Sequence, residues 1–176
     1  NAENIGEFFT KGTYDLKMTL GYEYSGSDNS GKSPGKGLML SSFLGYRTAE
    51  YQGFSLYGQF HNMTKVWDEY HDGNGKYSSN DTIADPDGNR IHQLYADFTN
   101  LPDTRIRIGR QEIILDDSRF FGNIGWRLNA QSFDAITLLN KSIPDTQIFL
   151  GYSENVASIL LNENEYDGIY IANIKH

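Results

Sequence analysis

The chain has 176 residues, 38% of them hydrophobic, and a formal net charge of −8. This is one domain's worth of length, and the acidic balance argues against nucleic acid, whose binders are basic. There is no cysteine, so a disulfide framework, a thiolate metal site and a thiol nucleophile are excluded, and no run approaches the roughly 18 consecutive apolar residues of a membrane helix.

After a lead-in over residues 1–12, side chains alternate with period two, the signature of half-buried strands. In the first run, Tyr14, Leu16, Met18, Leu20, Tyr22 and Tyr24 share one face and Asp15, Lys17, Thr19, Gly21 and Glu23 the other. Aromatics bracket an aliphatic middle, the vertical order of a lipid-facing barrel strand, over about the 9–11 residues that a tilted strand needs to cross a bilayer. The second run, Leu38 to Thr48, sets Leu38, Leu40, Leu44 and Tyr46 against Ser41, Gly45 and Arg47, with Phe43 breaking the polar face. The third, Phe54 to Met63, sets Phe54, Leu56 and Phe60 against Ser55, Gln59 and His61. The fourth, Ile91 to Thr99, sets Leu94, Ala96 and Phe98 against Gln93, Tyr95 and Asp97. Further runs cover Thr104 to Leu115, Gln131 to Asn140, Thr146 to Ser153 and about Gly168 to Ile174, the last apolar on both faces.

The connections alternate too. Residues 48–53, 100–103 and 141–145 are short; residues 25–37, 64–90, 116–130 and 154–167 are long. Outer-membrane barrels have short periplasmic turns and long outer loops, whereas a soluble sandwich has no reason to keep that rule. The expectation is an all-β, antiparallel up-and-down transmembrane barrel of about eight strands, with residues 1–176 forming one domain. A soluble sandwich, with Leu16, Met18 and Leu20 buried against a second sheet, is the less favoured fold.

The fifth run poses a problem. Strict alternation from Arg105 and Arg107 puts Arg110 and Glu112 on the lipid face, where arginine at mid-membrane costs about 2–4 kcal/mol. A bulge or equivalent irregularity at Gly109 to Gln111 would turn Arg110 and Glu112 inward and Ile113 and Leu115 outward.

From Gly109 to Leu138 the chain resembles the alginate-export family of outer-membrane barrels. The resemblance rests on Gly109-Arg110-Gln111, Asp116-Asp117, Arg119-Phe120, Gly122-Asn123, Gly125-Trp126-Arg127 and Phe133-Asp134, with Gln93 to Phe98 upstream. Thr137 departs from it, standing where these barrels often carry a lumen arginine. The resemblance implies a monomeric diffusion channel in the outer membrane of a Gram-negative bacterium. It has no enzyme chemistry and no cofactor, and it passes anionic sugars, oligosaccharides or other small solutes. It also implies a barrel with roughly twice the strands counted here, of which this chain would be the N-terminal part.

Lys17, Arg47, Arg105, Arg107, Arg110, Glu112 and Arg127 are the candidate pathway residues, because rings of Arg and Lys select anions in pores. The competing reading pairs the arginines with Asp15, Glu23, Asp97, Glu112 and Asp134 in a ladder that holds the wall; Lys17, beside Asp15 and Glu23, fits that ladder better. Arg119, Phe120, Phe121 and Trp126 form a candidate constriction loop, or an outer loop packed on its neighbours. Asp85, Asp87 and Asn89, with Asp81 upstream, alternate oxygen ligands as a calcium site would, yet lack the closing acidic residue; a polar turn at Pro86-Asp87-Gly88 is the simpler reading. His61, His71, His92 and His176 show no metal spacing. A structural or binding barrel with a filled lumen, its long loops contacting a partner, is the second function class.

Overall fold

The computed structural model describes residues 1–28 and 31–176. Residues 29 and 30, part of the first long connection, lie outside the described residues. The lead-in forms a short helix, α1 (Ile5–Thr10), which the sequence reading did not foresee. Eight strands follow: β1 (Thr13–Ser25), β2 (Gly35–Arg47), β3 (Phe54–Glu69), β4 (Gly88–Phe98), β5 (Thr104–Gln111), β6 (Ser132–Asn140), β7 (Gln147–Ala157) and β8 (Glu163–Lys175). All pair antiparallel with their sequence neighbours in one sheet, in the order β1 to β8. This is the expected up-and-down barrel wall. Most strands exceed the lengths read from the sequence at their outer ends, but β5 stops at Gln111, short of the Leu115 expected. β3 runs on to Glu69, and β7 with β8 continues past Ser153, so residues 158–162 are a tight connection rather than a long loop. Once clear of the bilayer both faces meet water, and the alternation that marks a strand in lipid is no longer imposed.

One face of the sheet is bare. Tyr14, Leu16, Met18, Leu20, Leu44, Leu94, Ile108, Ile136 and Tyr170 are all more than half exposed on it. A continuous apolar face of this extent is untenable in water and marks a membrane surface. Leu16, Met18 and Leu20 are bare, not buried against a second sheet, which disposes of the soluble sandwich. Paired aromatics bound this band: Tyr14–Tyr46 and Phe54–Phe98 near the short turns, with ring centroids 4.7 and 4.9 Å apart, and Tyr152–Tyr170 toward the long loops, 5.0 Å apart. Such girdles sit at the two membrane–water boundaries.

The other, inner face is covered in part, with Asp15 and Lys17 of β1 left exposed. Residues 112–131, between β5 and β6, fold back across it. Ile113 joins Phe133, Ala135, Phe149 and Val156 in one buried cluster, with Leu115 and Phe121 packed on it. Leu128 packs against Met39, Met63, Tyr70 and Ile83 in another. Gly21 makes room for this loop, since a β-carbon there would stand 3.1 Å from Leu128 Cδ1.

The predicted flip at Gly109 does not occur. Gly109 is irregular, with φ +123° and no space for a side chain, because a β-carbon would lie 2.3 Å from the Leu94 carbonyl. Yet β5 and β6 stay in unbroken register from Thr104–Asn140 to Gln111–Phe133. Arg110 therefore lies outward with Ile108 and Ile136, and Ile113 and Leu115 lie inward. The outward arginine is tolerable because it sits beyond the Tyr152–Tyr170 girdle and is neutralised by Asp134 (2.7 and 2.8 Å) and Glu163 (2.9 and 3.0 Å).

Candidate functional site

The inner face of β1 to β5 carries the polar side chains that the alternation assigned to it. Near the short-turn end, Asp97 of β4 accepts from Arg107 Nε at 2.6 Å and Nη2 at 2.8 Å, and from Arg47 Nη1 at 3.3 Å. Arg47 also donates to the Tyr95 hydroxyl at 2.6 Å, and the Arg107 guanidinium lies 3.7 Å from the centre of the Tyr95 ring. Asp15 accepts from the Tyr57 hydroxyl (3.0 Å) and from Gln59 (3.2 Å). The ladder of the competing reading thus exists for Arg47, Asp97 and Arg107. Tyr57 and Tyr95, which complete it, were visible in the sequence only as aromatics on the polar side of two runs.

Two cations stand apart from this ladder. The side chains of Lys17 and Arg105 make no ion pair or hydrogen bond with any described residue. Lys17 lies 5.9 Å from the centre of the Phe43 ring and was expected to pair with Asp15 or Glu23. Those acids are taken by Tyr57 and Gln59 and by Arg127, respectively. Arg105 stands near Asp97 with Arg107 and Arg47, whereas Lys17 lies nearer the long loops, on the wall of the cavity described next.

Toward the long-loop end, residues 112–131 close over a cavity of about 290 Å³, lined by Lys17, Thr19, Gln59, Gln93, Glu112 and Trp126 among others. Several contacts hold the loop, among them the two hydrogen bonds of Asn129 to Asp85 and to the Pro86 carbonyl. Arg127 Nη1 bonds both oxygens of Glu23 at 2.9 Å, with Asp85 at 3.5 Å from its Nε. Ser41 Oγ donates to the Leu128 carbonyl at 3.0 Å, which leaves Nε2–H of His61 to donate to Ser41 Oγ, also at 3.0 Å. His92 Nε2 meets Glu112 Oε1 at 2.7 Å. His92 reaches it because it falls at a register shift between β3 and β4, which turns both His92 and Gln93 inward. His61 was placed on the polar face of its run by the alternation, whereas Leu128 and the contact of His92 with Glu112 were not foreseen; a lone loop leucine and a histidine at a register shift carry no periodic signal.

Of the expected constriction residues, Phe121 stacks on Phe133, with centroids 4.7 Å apart, and helps to cover the inner face. Trp126 is 79% exposed and lines the cavity. Phe120 is 94% exposed, and Arg119 pairs only with Asp117, at 3.1 Å.

The oxygens of the calcium candidate diverge. Asp85 is fully buried and accepts from the Asn129 amide at 3.0 Å, Asp87 pairs with Lys65 and Lys76, Asn89 accepts from Asn62, and Asp81 accepts from the Ser27 amide. Among the described residues no group of three or more His, Asp or Glu side chains could hold a metal ion. Burial pushes the Asp85 carboxyl above its ordinary range, against the pull of the Asn129 amide and Arg127. Asp87, bonded to Lys65, is held low; at Asp72 burial acts upward, but Lys65 and the Asn74 amide outweigh it and lower that carboxyl too.

A family model described as alginate export matches residues 54–147. Crystal structures of Pseudomonas aeruginosa OccK2 (OpdF) and OccK9 (OpdG) share the fold. The first superposes with a TM-score of 0.62 at 16% identity over 95% of this chain and 43% of that one. The second gives 0.66 at 12% identity over 95% of this chain and 46% of that one. The chain therefore spans less than half the length of either structure. No curated protein matches.

Proposed function

This chain belongs to the alginate-export family, transport channels of the Gram-negative outer membrane and not enzymes, and on that footing we propose that it forms part of the wall of a passive channel for small anionic solutes, sugars and oligosaccharides among them. The observation that carries this reading is a pair of inner-face cations left out of the ion-pair ladder. Lys17 and Arg105 have no acid partner among the described residues, so their charge is available to a passing anion. Fixed charge in a low-dielectric wall acts over several ångströms and raises the local concentration of counter-ions. Arg47 and Arg107 hold the wall around Asp97, and Glu112, Arg127 and Trp126 shape the narrowing beneath the inward loop, with Phe121 fixing its base. Arg110, on the outer side, takes no part. The channel works as a monomer in contact with membrane lipid.

The test is single-channel recording of the full-length protein in a planar bilayer, with the reversal potential measured under a salt gradient. Anion selectivity is expected, and it should fall when Lys17→Gln and Arg105→Gln are combined. Unchanged selectivity in that double variant would refute the cation pathway. A filled scaffold is the second reading, favoured by the buried cluster that residues 113–121 build on β6 and β7. Absence of any conductance from folded, inserted protein would select it.

A further inference from the structure

Helix α1 exposes two apolar side chains that nothing in the barrel covers. Ile5 and Phe9 are 63% and 56% exposed and, four residues apart, share one face of the helix. Their neighbour Phe8 points the other way, is buried, and sets its ring edge-on to Phe9 at 4.9 Å. The helix is short but held. Asn4 caps it by accepting from the Glu7 amide at 3.0 Å, and Lys11 pairs with Glu7 at 3.0 Å.

Its position is fixed from both ends. The Phe8 carbonyl accepts from the Ala49 amide in the turn after β2, and the Ala2 amide donates to the Glu50 carbonyl. At Gly12 the chain passes so close to the end of β2 that a β-carbon would lie 2.4 Å from the Arg47 carbonyl. The Tyr46 hydroxyl donates to the Phe9 carbonyl. Tyr46 is an outward residue, tilted against Tyr14 in the girdle at the short-turn end. The helix therefore ends level with the girdle hydroxyls, on the lipid side of the wall.

We propose that α1 is an interfacial anchor, lying along the periplasmic leaflet of the outer membrane with Ile5 and Phe9 set into its headgroup–acyl boundary. This rests on the barrel reading above. The occupant is lipid because the exposed face of α1 is continuous with the apolar band through Tyr14 and Tyr46, an interface that lipid already covers. So short a helix would not hold to a membrane alone, but β1 begins at Thr13 and tethers it there, so insertion is intramolecular.

These 176 residues hold no cysteine, so single nitroxide labels can be placed here once any cysteine elsewhere in the full-length protein is replaced by serine. In the full-length protein reconstituted in phospholipid vesicles, Ile5→Cys, Phe9→Cys, Glu3→Cys and Leu16→Cys would each be labelled. Collision with oxygen, which partitions into lipid, would then be compared with collision with a water-soluble nickel chelate. Labels at Ile5 and Phe9 are expected to favour oxygen, as Leu16 does, while Glu3 favours nickel. If Leu16 favours oxygen and the helix labels favour nickel, or meet neither reagent, the anchor is refuted and the barrel stands. If Leu16 favours nickel, the barrel reading fails and the anchor with it. A second readout uses Phe9→Trp with Trp67→Phe, Trp126→Phe and any tryptophan elsewhere in the full-length protein likewise replaced by phenylalanine. Brominated lipid should quench its fluorescence and aqueous acrylamide should not; the reverse pattern overturns the proposal.

Discussion

Arg127 and Glu23 are joined by two hydrogen bonds of 2.9 Å from a single guanidinium nitrogen, and they connect residues 112–131 to the inner face of β1. Arg127 is almost buried and Glu23 is partly open to solvent. An ion pair of this kind contributes about 1 kcal/mol. Beside it stand the Ser41–Leu128 and His92–Glu112 contacts, so its loss loosens the loop without unfolding the wall. Arg127→Ala should raise single-channel conductance and its fluctuation at unchanged thermal stability of the barrel. Conductance identical to the parent protein would mean that the loop does not limit flow.

Asp97 is nearly buried between Arg107 and Arg47. Removing Arg107 leaves this carboxylate with one longer contact. Breaking a buried pair costs about 3–5 kcal/mol, and the remaining arginine softens that loss. Arg107→Ala should therefore lower the unfolding free energy by about 2 kcal/mol, and the urea midpoint with it. Arg105→Ala, which breaks no ion pair, should leave it in place. Equal midpoints for the two variants would contradict the assigned roles.

Lys65 collects Asp72 at 2.9 Å, Asp87 at 3.0 Å and Asp68 at 3.7 Å where β3 leaves the membrane. Asp72 and Asp87 have carboxyls lowered in the folded state. Their contribution is thus complete above the ordinary aspartate value, about 3.9, and is lost as pH falls through their folded values. Residues 70–87 should resist protease at pH 6 and become susceptible when acidified below about 4, as followed with an acid-active protease. Lys65→Met should be susceptible at both pH values. Equal resistance of the parent at both would remove this cluster as the anchor.

Wherever lipid meets the wall, the sequence was legible. The outward row of β1 from Tyr14 to Tyr24 and the inward Arg47, Asp97 and Arg107 follow from alternation, because each face meets a different solvent. Legibility failed where that contrast stops. The outer ends of β3, β7 and β8 stand in water on both sides, and their strands were read as loops. Arg110 was misread because its carboxylate partners are distant in sequence: Glu163 closes the site from β8, and no local pattern announces it. Lys17 was misread for the opposite reason, since its near neighbours Asp15 and Glu23 turn out to be engaged by Tyr57 and Arg127. Leu128 left no trace because a folded-back loop has no period. At Gly109 the sequence pointed to the right residue and the wrong consequence: the backbone is irregular there, but the pairing does not slip.

The arrangement around Asp97 bears on how the wall assembles. Strand β4 alternates Leu94, Ala96 and Phe98 with Tyr95 and Asp97, so sliding it by one residue would present Asp97 to the acyl chains and Ala96 to the two arginines. Charged side chains cannot leave one another in hydrocarbon without a large cost, whereas Leu, Ala and Phe exchange places on a greasy surface with little penalty. Lipid contact alone would let neighbouring strands settle in several alignments. The acid held between Arg107 on one side and Arg47 on the other penalises every alignment but the observed one, in which Asp97 faces Arg107 across β4 and β5.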